Sequence, residues 1–183
     1  LAFALLSLPD PVRPGGRVAV SLPGKGYSIL AFLAILKAGA IYVPLDPDHP
    51  ADRVAYVLQD AGVGLILTDR PQAYLDHRCI DPAEMVAQAA EPVALPAADQ
   101  ARIAYLLYTS GSTGRPNGVP IGHASLLNHL RSMAEVPGLK PGDRMLAITT
   151  PTFDISILEM LLPLSVGATV ILYGQDLLLA PVR

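Results

Sequence analysis

The chain of 183 residues has no tryptophan, only 5% aromatic residues and one cysteine, so no internal disulfide builds its core. Cys79 alone cannot close an internal bridge, and no Cys/His cluster has the spacing of a zinc site. His123 and His129 stand six apart, which is not a same-face helical pair. Charge is also sparse. Thirteen Lys and Arg against 16 Asp and Glu leave a net charge of −3, with no basic excess to neutralise nucleic-acid phosphates. Long hydrophobic runs are missing too. Residues 27–36 meet Lys37 and Gly39 well short of the roughly 20 apolar residues of a spanning helix, and Glu159, Pro163 and Gly167 interrupt 157–172. The first eight residues lack a basic leader and a cleavage site, which argues against a signal peptide. What is abundant is apolar residues, 51% of the chain, so disorder is excluded. A cytoplasmic, metal-poor protein that binds neither nucleic acid nor membrane is expected. The absence of an initiator Met, with apolar sequence from residue 1, reads as a truncated chain.

Short β-rich runs alternate with helical ones. Strands are expected at 17–22, 40–45, 64–69, 103–108, 144–149 and 168–172. Helices are expected at 27–38, closed by Gly39, and at 51–61, closed by Gly62. Two more should start near Ser125 and near Asp154, the second kinked or ended by Pro163. Such alternation predicts an α/β fold with largely parallel sheets flanked by helices. Residues 92–99, PVALPAAD, are the best linker candidate, between a first lobe over about 1–91 and a second over about 100–183. A weak repeat suggests that the lobes are related. Pro14-Gly15-Gly16-Arg17 and Pro141-Gly142-Asp143-Arg144 each precede a strand, a helix, a Gly-Ala pair and another strand. Ordinary βαβ turn chemistry would give the same spacing.

The stretch LLYTSGSTGRPNG, 106–118, carries the chemistry. Thr109, Ser110, Ser112 and Thr113 set four hydroxyls among Gly111 and Gly114. Glycines let backbone N–H groups converge and hydroxyls add donors, which makes a concavity suited to phosphate oxygens. A flexible linker has similar composition, but here a strand enters and a polar loop runs to Pro120 before a helix. The common nucleotide loop is excluded, because Gly118 is followed by Val119 rather than Lys.

YTSGSTGRPNG resembles the phosphate loop of the adenylate-forming enzymes. LAILKAGAIYVPLDPDHPADRVAYVLQDAG (33–62) and TFDISILEMLLPLSVGATVIL (152–172) narrow the resemblance to the adenylation domains of nonribosomal peptide synthetases. The likeness covers nearly the whole chain and implies part of an N-terminal adenylation subdomain. It also implies an activity. An amino-acid carboxylate would attack the α-phosphorus of ATP, with Mg2+ sharing the phosphate charge. The acyl group would then pass to the phosphopantetheine thiol of a carrier protein, in a megasynthase that also holds condensation domains. By motif, Thr109, Ser110, Gly111, Ser112, Thr113, Gly114 and Asn117 would hold the phosphates. Asp154 would pair with the substrate ammonium, while Ile155 and Leu158 would line its side-chain pocket. Those two bulky apolar residues favour a small amino acid, glycine first.

Two departures qualify the resemblance. The family usually has Lys where this chain has Asn117, which brings no charge to a polyphosphate, and Arg115 is the candidate to compensate. The family's adenine-binding, ribose-binding and catalytic-lysine segments should lie past Arg183, so the catalytic residues are not in this chain and the 183 residues alone should not adenylate. Competing readings are a fatty-acyl or aryl-acid ligase segment and a non-catalytic remnant. Asp154 separates amino acids from other acids, although an Asp before an apolar helix is also an ordinary N-cap, with Thr152 as a rival. Tyr105 and Tyr108 read as core aromatics, and His123 as a packing or capping residue near the loop. His49 and His77 receive no role.

Overall fold

The computed structural model describes residues 1–22, 25–74, 76–88, 91–110 and 115–172. In chain order the elements are α1 (Ala2–Leu6), β1 (Arg17–Ser21), α2 (Lys25–Lys37), β2 (Ile41–Pro44), α3 (Ala51–Ala61), β3 (Leu65–Thr68), β4 (Cys79–Ile80) and α4 (Pro82–Ala87). They continue with β5 (Ile103–Ser110), β6 (Pro116–Gly122), α5 (His123–Met133), β7 (Arg144–Ala147), α6 (Asp154–Val166) and β8 (Thr169–Leu172). Six strands form one sheet in the order β4-β3-β1-β2-β5-β6, parallel except for the antiparallel β5–β6 pair, and β7 pairs with β8 in parallel. Among the described residues no helix is long and apolar enough to cross a membrane.

Alternation along the strands explains why both faces of the large sheet are dry across β1, β2 and β3. Val18, Val20, Tyr42, Leu65, Leu67, Tyr105 and Leu107 point to the side covered by α2, α5 and α6. Ala19, Ile41, Val43, Ile66, Leu106 and Tyr108 point to the side covered by α3. Parallel strands buried on both faces read as continuous apolar runs, which is how 17–22, 40–45 and 64–69 appear in the sequence. Gly62 and Gly167 end α3 and α6 with φ of 59° and 76°, left-handed values that a side chain resists.

The two Pro-Gly-x-Arg segments behave alike at the level of single hydrogen bonds. Gly15 N–H donates to Gly39 O and Gly142 N–H to Gly167 O; Ile41 N–H donates to Gly16 O and Thr169 N–H to Asp143 O. Arg17 stands opposite Ile41 as Arg144 stands opposite Thr169. The sheets, however, do not divide at 92–99. That segment carries no regular structure, yet β5 and β6 beyond it complete the first sheet. Other boundaries also differ from expectation. The segment expected as polar loop to Pro120 is strand β6 from Pro116 onward; its prolines are tolerated because β6 is an edge. The helix expected from Ser125 starts at His123. Pro163 neither ends nor breaks α6, which runs on to Val166.

Three phenols give the fold a pH limit. Tyr42 is fully buried and stacked on Phe32 at 4.1 Å, and burial pushes its phenol far above the ordinary value of 10.0. Tyr105 is raised by burial and then by the charge of Asp154, and Tyr108 by burial and then by its hydrogen bond to Asp60. A phenol whose folded value is raised contributes stability that is full below about pH 10, where unfolded tyrosines ionise. That stability drains away as the pH climbs through the folded-state values. Alkaline titration should therefore show tyrosinate absorbance from these three rising together with unfolding. Their ionisation near pH 10 in a chain still folded would contradict this.

Candidate active site

A cavity of about 820 Å3 opens between the β5–β6 hairpin, α5, the start of α3 and the segment entering α6. It lies at the carboxyl end of a parallel strand, β5, where open α/β sheets place their ligands. The hairpin register sorts its two faces. Tyr105 pairs with Ile121, Leu107 with Val119 and Thr109 with Asn117, all on one face. The first two pairs and Thr109 line the cavity, and so does Ser110. Asn117 shares that face at the loop end but does not line the cavity itself; its carbonyl accepts the Thr109 hydroxyl at 3.5 Å. Gly111, Ser112, Thr113 and Gly114 lie outside the described residues. Arg115 is exposed and is not part of the cavity wall.

Asp154, Ile155 and Leu158 all line the cavity, on the first turn and a half of α6. The N-cap position belongs to Phe153, which makes no side-chain cap; Asp154 is the first helical residue, and Thr152 does not cap either. Asp154 Oδ1 accepts the N–H of Ile155 at 2.8 Å. Oδ2 accepts nothing among the described residues, and Asp154 is exposed on the cavity wall. The carboxylate's charge also reaches Tyr105 across the cavity.

The segment before Asp154 is pinned by a buried acid whose charge interrupts an apolar helical run in the sequence. Glu159 is 7% exposed. Its Oε2 accepts the N–H groups of Ile148 and Thr149, both at 2.9 Å, and its Oε1 accepts the Thr149 hydroxyl at 2.7 Å. Ser156 Oγ adds a bond to Phe153 O at 2.6 Å. Together these fix the path from β7 into α6 and hence the place of Asp154.

Further wall residues come from elements that the motifs do not cover. Ser125, His129 and Met133 sit at i, i+4 and i+8 on α5, one face of a helix, which is a periodicity visible in the sequence. His49 comes from the turn before α3 and Arg53 from its first turn. The hairpin itself is tied to the far end of α3 by the Tyr108 hydroxyl, which donates to Asp60 Oδ2 at 2.7 Å. His123 stands apart from the cavity. Its backbone N–H donates to Arg102 O at 3.0 Å, and burial and then the Arg102 charge push its imidazole below the ordinary value, against Asp99.

This arrangement sets hydroxyls at one end of the cavity and a fixed carboxylate on an apolar wall beside them. Comparisons agree with the chemistry. The family model described as AMP-binding enzyme matches residues 1–182. The chain is 38% identical over 191 residues to a dimodular nonribosomal peptide synthase of Bacillus subtilis (strain 168), covering 98% of this chain and 8% of that one. A four-domain nonribosomal peptide synthetase solved with AMP and glycine superposes with a TM-score of 0.79 at 34% identity, over 96% of this chain and 13% of that one. An o-succinylbenzoate CoA synthetase from Bacillus subtilis, solved with ATP and magnesium ion, gives 0.84 at 26% identity, over 97% and 50%. The chain thus spans a small part of the nonribosomal peptide synthetases it matches and half of the CoA synthetase. It belongs to the AMP-binding enzyme family, the adenylate-forming ligases, and the relatives it resembles include nonribosomal peptide synthetases.

Proposed function

We propose that this chain is the part of an adenylation domain that receives an amino acid and the phosphates of ATP in the 820 Å3 cavity. The single observation that carries this reading is the placement of Asp154 in the same wall system as Thr109 and Ser110. An ammonium held by Asp154 leaves the substrate carboxylate free to face the phosphate end. The carboxylate oxygen bonds to the α-phosphorus, the bond to the bridging oxygen breaks, and pyrophosphate leaves with the electron pair. The Thr109 and Ser110 hydroxyls, with the loop that follows, donate to phosphate oxygens as their charge develops. Catalysis is mostly positioning of the two reactants.

Among the described residues no three His, Cys, Asp or Glu gather as a metal cage. Mg2+ is commonly held by few protein ligands together with substrate phosphates, and that mode suits this donor set. When bound it spreads phosphate charge; Thr109 and Ser110 are the residues here that would lie beside it. The acyl group is then handed to a phosphopantetheine thiol on a carrier protein, within a synthetase that also contains condensation domains. An acid without an amino group gains nothing from Asp154, which favours amino acids over fatty or aryl acids.

Ile155 and Leu158 shorten the pocket, so the substrate is small and apolar, glycine first. In a complete domain, Leu158→Ala should shift ATP–pyrophosphate exchange toward larger apolar amino acids by roughly tenfold or more relative to glycine, tenfold being the low end of what one methylene is worth in a hydrophobic pocket. An unchanged ranking across an amino-acid panel would remove Leu158 from the pocket.

A further inference from the structure

Among the residues lining the cavity there is one guanidinium, Arg53, and one carboxylate, Asp154. Arg53 is half-buried in the first turn of α3, with its backbone N–H bonded to Pro50 O at 3.0 Å. The ion pairs of the described residues engage His49, Arg78 and Arg102, and the Arg53 side chain has no hydrogen-bond or ion-pair partner among them. A permanent positive charge on the cavity wall with no partner of its own is available to an anionic ligand. Its position is further defined by a small adjoining cavity of about 20 Å3, which Arg53 lines together with Tyr108 and Thr152. Tyr108 directly precedes Thr109, and Thr152 lies two residues before Asp154. Arg53 therefore shares cavity walls with the residue that leads into the phosphate end and with the segment that leads into the substrate end.

We propose that Arg53 binds the leaving pyrophosphate of ATP and supplies the positive charge that Asn117 does not carry. The assignment rests on the reading of the cavity as the site of ATP and amino acid. Arg115 is exposed and outside the wall, and Asn117 is neutral and in register with Thr109, so neither brings charge to the cavity. A guanidinium matches phosphate oxygens with paired N–H donors. The substrate carboxylate is the poorer partner, because it must stay free to attack. No proton moves in the step: the bridging oxygen leaves with its electron pair on pyrophosphate, and Arg53 offsets that charge.

The test uses a complete adenylation domain carrying this segment, with Arg53→Ala, Arg53→Lys and Arg53→Ala combined with Asn117→Lys. Calorimetric titration with inorganic pyrophosphate and with Mg-ATP, without amino acid, is read beside exchange kinetics. Arg53→Ala should weaken pyrophosphate and ATP binding between about tenfold and a hundredfold, the range of a charged hydrogen bond. The amino-acid KM should hold. Arg53→Lys and the added lysine at 117 should each restore part of the loss, and the wild type should lose pyrophosphate affinity with salt more steeply than Arg53→Ala. Unchanged pyrophosphate binding would overturn the assignment. So would a rise in the amino-acid KM alone, or a loss that neither lysine repairs. A wild-type domain that fails to bind Mg-ATP would overturn the site reading itself, a result distinct from binding that is indifferent to Arg53.

Discussion

Asp154→Ala, in a complete adenylation domain, is expected to cut amino-acid-dependent ATP–pyrophosphate exchange between about 30-fold and a few thousand-fold, while Mg-ATP binding persists. The range is that of truncating one partner of a desolvated charge pair, about 2–5 kcal/mol. The free residue is exposed on the cavity wall, but the substrate completes the desolvation when it binds. Asp154 is pre-set for the task. Its first oxygen is held by the Ile155 N–H at 2.8 Å, which fixes the side chain, and its second has no partner among the described residues. As the first residue of α6 it also lies in the first turn, where an acidic side chain suits the helix dipole. Asp154→Asn keeps the shape and loses the charge, so it should fall close to the alanine variant in amino-acid affinity. If amino-acid affinity is unchanged in both, Asp154 only steadies the helix start.

The second large effect falls on stability. Glu159→Ala should lower the unfolding free energy by about 3 kcal/mol or more, read by denaturant titration. It strips the acceptors from two backbone N–H groups and one hydroxyl, in part-buried bonds to a side chain that is itself 7% exposed. Each buried donor left unsatisfied costs about 1–3 kcal/mol. Glu159→Gln keeps one acceptor oxygen and should lose clearly less. Because these bonds fix the path into α6, Glu159→Ala should also raise the amino-acid KM more than the ATP KM. A stability change below about 1 kcal/mol would show that the segment holds without Glu159.

The contrast between these residues shows what could be read from sequence and what could not. The strands at 17–22, 40–45 and 64–69 were legible because a sheet buried on both faces needs unbroken apolar runs. Asp154, Ile155 and Leu158 were legible through a contiguous motif, and the structure sets all three on one cavity. Strand β6 was hidden by Pro116 and Pro120, residues that argue against a strand unless it lies at an edge. Glu159 did leave a signal: a charge inside an apolar helical run is buried at a cost and so needs partners. Nothing in the local sequence marked Arg53 or His49. They reach the cavity only because β2 and β5 are neighbours in the sheet, which brings α3 beside a hairpin 50 residues later.

The most direct measurement of the central claim is ATP–pyrophosphate exchange by a complete domain, run with glycine and alanine against acetate and propionate, their counterparts without an amino group. A cavity that anchors an ammonium on Asp154 should support exchange with glycine or alanine and leave acetate and propionate at background. Equal exchange with both sets of acids would contradict an amino-acid-activating site built on Asp154.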